Sequence, residues 1–235
     1  MKVAVYQCTS PSGDVETAFE KTRTALDWAA AANADICILP ELMLPGYNQP
    51  DAIQRLAQAQ GGPWEQKLAL LAQKAGCGLI LGWAERDGGD LFNAASYFDK
   101  SGVKQAHYRK HHLFEAQEKA LFTPSAENCV FEFAGQTCAI LICFDIEFPE
   151  RARELMKLGV TTIFVPTANP REFQNVSDII VRSRALENEM TIVYVNYCGD
   201  EGGLTYAGAT IIATQDGNAA LRLGETEGFG IVTLG

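Results

Sequence analysis

The sequence predicts one α/β domain over residues 1–235, with mixed sheets buried between helices. Near the N-terminus a β-rich run, Val3–Cys8, is followed by Asp14–Ala32, where apolar residues recur at roughly helical spacing. Short continuous apolar runs such as Ile36–Leu39 are typical of strands buried on both faces. Paired β-rich segments around short turns, as in Phe92–Tyr108, indicate antiparallel hairpins beside the parallel strands.

The first half of the chain begins as a strand, turn and helix and ends in a hairpin. Strands are predicted at Val3–Cys8, Ile36–Leu39, from Leu79 to Trp83 and onward, at Phe92–Phe98 and at Val103–Tyr108. Helices are predicted at Asp14–Ala32 and Trp64–Ala75, and the polar segment Asn48–Gly62 has room for one short helix.

The second half repeats this alternation after a segment without clear periodicity. Residues 109–128 are predicted to form a long ordered loop. Hairpins are predicted at Val130–Phe133 with Thr137–Cys143, and at Ala207–Ala213 with Ala219–Leu223 through a type I′ turn at Gln215–Asn218. Helices are predicted at Pro149–Leu158 and about 178–190, with strands at Thr162–Pro166 and Thr191–Tyr197.

Composition narrows the function classes. The net charge of −10 disfavours nucleic acid and anionic membranes as partners, and no apolar stretch is long enough to span a bilayer. Seven cysteines without a C-x-x-C pair indicate buried free thiols in a reducing compartment, and the three histidines do not complete a zinc motif. The N-terminal segment lacks the apolar core of a signal peptide. We therefore expect a cytoplasmic protein with no metal.

Three segments place a reactive side chain just after an apolar strand, where open α/β sheets bind ligands. They end in Glu41, Lys110 and Cys143. Taken singly, each has a common structural interpretation: a loop acid, a solvated lysine and a buried thiol. Together they predict a cysteine-centred acyl-transfer site without histidine, because a carboxylate can accept the thiol proton and an ammonium can stabilise an oxyanion.

The order and spacing of these segments resemble the nitrilase superfamily of carbon–nitrogen hydrolases. The resemblance rests on three motifs and extends over essentially the full chain. The motifs are Ile38-Leu39-Pro40-Glu41 followed by Pro45-Gly46-Tyr47, then Tyr108-Arg109-Lys110-His111-His112-Leu113-Phe114, then Cys143-Phe144-Asp145-Ile146-Glu147-Phe148-Pro149-Glu150.

The resemblance implies a four-layer αββα sandwich, two mixed sheets between helices, that assembles as a homodimer or higher homo-oligomer. It assigns Glu41 as general base, Lys110 as oxyanion stabiliser and Cys143 as nucleophile. A second acid in the loop after the lysine corresponds to Glu118, with Glu115 the weaker candidate, and the Phe144 amide would be a further oxyanion donor.

The implied reaction is hydrolysis of a small carboxamide to an acid and ammonia through a cysteine thioester, with no cofactor. An N-carbamoyl amide or a nitrile is the alternative substrate. A non-catalytic small-molecule binding protein and a redox-sensing thiol protein are the alternatives of another class; the first would need a phosphate loop, for which Gly76-Cys77-Gly78 has the wrong context.

Residues at or just after the motif strands are expected to surround the substrate. The candidates are Tyr47, His112, Glu147, Phe148, Thr167, Ala168 and Asn169. Glu147 departs from the superfamily pattern, in which arginine is common at this position. For residues 167–169 a turn capped by Asn169 ahead of Pro170 is the structural alternative.

Overall fold

The computed structural model describes residues 1–235 and contains two six-stranded sheets. The first sheet has the spatial order β14-β1-β2-β3-β4-β5, in which β1, β2 and β3 are parallel and the remaining neighbours antiparallel. Its strands are β1 (Lys2–Gln7), β2 (Ile36–Ile38), β3 (Gly78–Asp87), β4 (Asp90–Phe98), β5 (Lys104–Arg109) and β14 (Gly228–Thr233). The predicted mixture of parallel and hairpin strands is confirmed for this sheet.

The second sheet repeats the scheme in the order β13-β12-β9-β8-β7-β6, again with three parallel strands, β7, β8 and β9. Its strands are β6 (Val130–Phe133), β7 (Gln136–Ile140), β8 (Thr162–Pro166), β9 (Thr191–Val195), β12 (Ile211–Ala213) and β13 (Ala219–Arg222). A separate hairpin, β10 (Cys198–Glu201) with β11 (Leu204–Ala207), lies outside both sheets and was not predicted.

The structure has six α-helices, four of which cover the outer faces of the two sheets. The six are α1 (Val15–Ala31), α2 (Pro50–Leu56), α3 (Pro63–Ala75), α4 (Glu115–Leu121), α5 (Pro149–Lys157) and α6 (Val181–Asn188). Asp14 caps α1 by accepting from the amides of Glu16 and Thr17, and proline occupies the first turn of α2, α3 and α5. The apolar residues of α1 and α3 pack on the first sheet, and those of α5 and α6 on the second.

The central strands are apolar on both faces because each sheet lies between a helical layer and the other sheet. Along β1, Val3 and Val5 join the core between the sheets, whereas Ala4 and Tyr6 join the core under the helices. The result is the predicted αββα sandwich of two mixed sheets between helices. No helix in the structure is both long and apolar enough to cross a bilayer.

The helix predicted at about 178–190 is confirmed, because a π-helical turn, Val176–Ile180, continues directly into α6. Three other local predictions are wrong. Residues 109–128 are not all loop, because they contain α4. The strand expected to reach Cys143 ends at Ile140. The hairpin turn is not type I′, since Gly217 alone has positive φ (74°) where that turn needs two such residues.

Candidate active site

Glu41 follows β2 on a turn that presses against β3. Its side chain is fully buried. The turn can approach so closely because β3 has glycine at this point: a Cβ on Gly82 would lie 2.6 Å from the Cα of Glu41. The Glu41 carboxylate oxygen Oε1 accepts from Asn93 Nδ2 and from Lys110 Nζ, each at 2.7 Å, while Oε2 has no hydrogen-bond partner.

Lys110, the residue after β5, lies between two carboxylates. Its Nζ donates to Glu41 Oε1 at 2.7 Å and to Glu118 Oε1 at 2.8 Å, and all three side chains are buried. Glu118 is held from two further directions, by the hydroxyl of Tyr47 at 2.8 Å and by the amide of Phe114 at 2.9 Å. The structure therefore brings Glu41, Lys110 and Glu118 together as the motifs predict.

The charges of this cluster are set by burial and by each other. Burial disfavours the ammonium of Lys110, but the carboxylates of Glu118 and Glu41 outweigh it and raise the Lys110 pKa well above its ordinary value. Burial raises the pKa of Glu41, and the adjacent ammonium opposes this effect. Lys110 is therefore a persistent cation, whereas Glu41 is a carboxylate of increased proton affinity.

Cys143 lies three residues beyond β7, at the start of a 3₁₀ turn, Cys143–Glu147, and its exposed fraction is 8%. Its φ of 46° is a left-handed conformation that costs energy for a residue with a side chain and is often found at functional sites. Burial, followed by the nearby Glu41 carboxylate, raises the pKa of this thiol well above its usual range, against the effects of Lys110 and of a hydrogen bond from the Ala168 amide. The resting group is thus a neutral thiol.

Asp145 fixes the turn that carries Cys143. It is fully buried and accepts from the Ile142 amide at 3.1 Å, the Tyr108 hydroxyl at 2.8 Å and the His112 amide at 2.8 Å. These bonds tie the turn to β5 and to the residues just after Lys110. As the second residue of a 3₁₀ turn, Phe144 has no partner for its amide within that turn.

The predicted substrate-binding residues divide into two groups. Tyr47 and Glu147 remain in range of the cluster: Tyr47 bonds to Glu118, and the half-buried carboxyl of Glu147 has a pKa that burial raises and that the Lys110 charge lowers. The backbone of Ala168 contacts the Cys143 thiol, and the Thr167 carbonyl accepts from the Glu41 amide at 3.4 Å.

The other predicted contacts have structural partners. His112 bonds to Asp145 and stacks on Phe148 with ring centroids 3.6 Å apart. Asn169 donates from Nδ2 to the Phe173 carbonyl at 2.8 Å, so the turn interpretation describes its side chain. Glu115, the weaker candidate for the second acid, begins α4 at the surface while Glu118 reaches the lysine.

Two residues that hold the site were absent from the predicted set. Asn93 in β4 orients Glu41, and nothing in its strand context distinguishes it from other polar strand residues. Asp145 could have been predicted from the sequence, because it interrupts an apolar segment two residues after the cysteine. A carboxylate buried there needs hydrogen-bond donors to offset the loss of water.

A four-layer αββα sandwich with a cysteine, a lysine and two glutamates gathered beyond the strand ends defines the carbon–nitrogen hydrolase class. The family model for carbon–nitrogen hydrolases matches residues 2–234. The chain belongs to this family and is a hydrolase that acts on C–N bonds.

Two curated relatives align with the full chain. The "Hydrolase in pqqF 5'region" of Pseudomonas protegens is 39% identical over 237 residues, covering 100% of this chain and 82% of that protein. The (R)-stereoselective amidase of a Pseudomonas species is 28% identical over 235 residues, covering 100% and 85%. The alignment therefore covers most of the length of each relative.

Among solved structures, an amidase from Nesterenkonia sp. AN1 superimposes with a TM-score of 0.96 at 29% identity, covering 100% of this chain and 93% of that chain. A variant of the same amidase carries the product of Michael addition of acrylamide at its active-site cysteine. Cys143 corresponds to that cysteine here. The comparison supports the predicted nitrilase-superfamily fold and a cysteine nucleophile.

Proposed function

We propose that the protein hydrolyses the C–N bond of a small carboxamide to a carboxylic acid and ammonia, through a thioester on Cys143. The observation that carries this proposal is the divided environment of Glu41. Its Oε1 is occupied by Lys110 and Asn93, whereas buried Oε2 accepts no hydrogen bond. An unpartnered buried carboxylate oxygen is suited to accept the proton of a neighbouring neutral thiol.

In the first half-reaction Glu41 takes the Cys143 proton as the sulfur attacks the amide carbon. The carbonyl oxygen gains negative charge, which the Lys110 ammonium and the Phe144 amide stabilise; such a donor contributes about 3–4 kcal/mol. The C–N bond then breaks, and the proton held by Glu41 passes to the nitrogen. Ammonia leaves, and the acyl group remains on sulfur.

In the second half-reaction Glu41 accepts a proton from water, and the resulting hydroxide attacks the thioester carbon. The C–S bond breaks, the acid is released, and the proton returns from Glu41 to the sulfur. Glu118 holds the Lys110 ammonium through its 2.8 Å contact, so that the cation stays beside both reacting groups. No step requires a metal or an organic cofactor.

Amides are the favoured substrates because one relative found by sequence and one found by structure are both named amidases. Nitriles and N-carbamoyl amides stay as alternatives within the same chemistry. A panel of the three classes, with ammonia release as the readout, separates them.

The covalent step is tested by trapping. Hydroxylamine added during amide turnover should give the hydroxamate in competition with the free acid, because it intercepts the thioester, with ammonia equal to the sum of both products. The Cys143→Ala variant should form neither product. Turnover without any hydroxamate, together with loss of turnover in EDTA, would contradict the thioester mechanism.

For localisation and assembly, we propose a cytoplasmic enzyme whose macromolecular partner is a second copy of this chain. The exposed apolar residues Leu158, Ile179 and Leu186 support this assembly, since all lie at α5, α6 and the turn before α6. Nucleic acid and membrane surfaces are disfavoured by the net charge of −10.

A further inference from the structure

A cavity of about 220 Å³ lies on the Glu118 side of the cluster formed by Glu41, Lys110, Glu118 and Cys143. Two residues of its lining connect it directly to that cluster, because the Tyr47 hydroxyl and the Phe114 amide both donate to Glu118, at 2.8 Å and 2.9 Å. Its size and its contact with the Glu118 side of the cluster suit the acyl part of a small amide.

The ionisable side chains of this cavity are all acidic. Glu115 and Glu172 line it, both exposed, and no lysine, arginine or histidine does. The remaining lining is neutral and comes from Tyr47, Asn48, Phe114, Gln117, Pro170, Gly202, Gly203 and Leu204. A substrate group with negative charge would meet two like charges and no countercharge at this point.

Three basic side chains, Lys110, Arg171 and Arg184, are already engaged. Lys110 is shared by the carboxyl groups of Glu41 and Glu118. Arg171 pairs with Glu225 at 2.6 Å, and Arg184 donates to Glu187 and to the carbonyls of Ile146 and Glu147. The half-buried carboxyl of Glu147 adds further acidity beside the cysteine turn. The unpartnered oxygen of buried Glu41 also offers an anionic substrate group no donor.

We infer that the site selects by charge: it accepts amides with an uncharged or cationic acyl part and rejects those with an anionic one, and Glu115 and Glu172 enforce the rejection. This inference rests on the proposed amide hydrolysis. Moving a carboxylate out of water is unfavourable unless a cation or several donors receive it, and here it would also be repelled.

The test uses three amides of equal chain length: pentanamide, 5-aminopentanamide and glutaramate. Ammonia release gives kcat/KM for each at about pH 7.5 and low salt. The value for glutaramate should be at least about 100-fold below that for pentanamide, whereas 5-aminopentanamide should equal or exceed pentanamide. Added salt should reduce the difference in kcat/KM between glutaramate and pentanamide, because salt screens the exposed charges of Glu115 and Glu172.

The Glu115→Gln/Glu172→Gln double variant assigns the selection to these residues. It should raise the glutaramate-to-pentanamide ratio of kcat/KM about tenfold, which corresponds to about 1.4 kcal/mol for two partly screened repulsions. The matched control is Glu16→Gln, whose side chain is 79% exposed and lies on α1 away from the cavity lining. It should leave the ratio unchanged.

The failures are distinguishable. Ammonia from none of the three amides, in a panel where other amides also fail, overturns the proposed function. Ammonia from glutaramate as readily as from pentanamide overturns the charge selection while amide hydrolysis stands. An unchanged ratio in the double variant overturns the assignment to Glu115 and Glu172.

Discussion

In the proposed mechanism, Glu41 and Cys143 divide the acid–base chemistry between a carboxylate of raised proton affinity and a thiol that keeps its proton at rest. In many thiol enzymes a cation lowers the thiol pKa before substrate arrives. Here burial and the Glu41 carboxylate outweigh Lys110, so the Cys143 pKa lies well above its ordinary value. The proposed mechanism therefore removes the thiol proton as the sulfur attacks the amide carbon, with the unpartnered Glu41 Oε2 as the proposed acceptor.

This assignment predicts the direction of the pH dependence. The mechanism requires ionised Glu41, and burial raises the pKa of this group. As the pH is lowered, kcat/KM should therefore begin to fall at a higher pH than it would with a glutamate of ordinary pKa. The Lys110 pKa is also raised, so no loss should follow on the alkaline side up to about pH 9. Initial rates of ammonia release between about pH 4 and pH 9 measure both limbs.

The variant Glu41→Asp should keep an acidic limb at reduced rate, and Glu41→Gln should remove turnover. A rate that instead rises steadily toward alkaline pH, as thiol ionisation would give, contradicts the assignment of Glu41 as the base.

At the level of elements, the sequence allowed a site residue to be predicted where that residue lies just after a recognisable strand. Lys110 follows β5 directly and Glu41 lies three residues beyond β2. The two strands run in the same direction, which brings their following residues to one edge of the sheet. Two other features lacked such a signal. α4 has seven residues and buries Glu118 alone, so it shows no apolar periodicity; its position is fixed by hydrogen bonds that depend on distant residues.

The conformation at Cys143 was likewise beyond a local pattern. The apolar run Ala139–Ile142 reads as a continuing strand, yet the ladder stops at Ile140 and the chain turns to a positive φ at Cys143. Tertiary bonds from Asp145 hold this turn, and its partner Tyr108 is 37 residues away. Hydrophobic periodicity carries no information about such contacts.

The close approach of β3 to the Glu41 turn gives a prediction for Gly82. A methyl group in Gly82→Ala would lie 2.6 Å from the Glu41 Cα and 2.8 Å from its carbonyl carbon, so backbone must move. We expect a loss of about 3 kcal/mol in the free energy of unfolding, as for an overpacked core, and a displaced Glu41 with a kcat lowered at least about 100-fold. Urea unfolding and ammonia release measure the two effects.

Gly89→Ala is the control for that variant, because it adds the same methyl group to the β3–β4 turn, where no atom lies within 4 Å. Its stability and kcat should match the parent protein. A Gly82→Ala protein with normal kcat would show that the position of Glu41 does not depend on this contact.

For the whole molecule, the layered sandwich could be predicted because the same sequence pattern occurs in both halves of the chain. β-rich apolar runs in both halves require burial on both faces, and only layers above and below each sheet provide it. The outer faces of α5 and α6 are different. Their buried residues, including Leu155 and Ala185, cover the second sheet. In contrast, Ile179 in the turn before α6 and Leu186 in α6 remain 63% and 57% exposed, seven residues or about two helical turns apart.

That exposed pair predicts how the proposed dimer can be disrupted. A C₂ contact would place the pair and Leu158 of one copy against the same surface of the other, removing the apolar side chains from water. Light scattering at micromolar concentration should give twice the 25.6 kDa of the chain.

The double variant Ile179→Asp/Leu186→Asp should be a monomer with an intact fold, since both side chains are solvent-exposed in the isolated chain. Val103→Asp, on the distant β4–β5 turn and 54% exposed, should remain dimeric. A parent protein that scatters as one copy, or a double variant that stays dimeric, would place assembly elsewhere or exclude it.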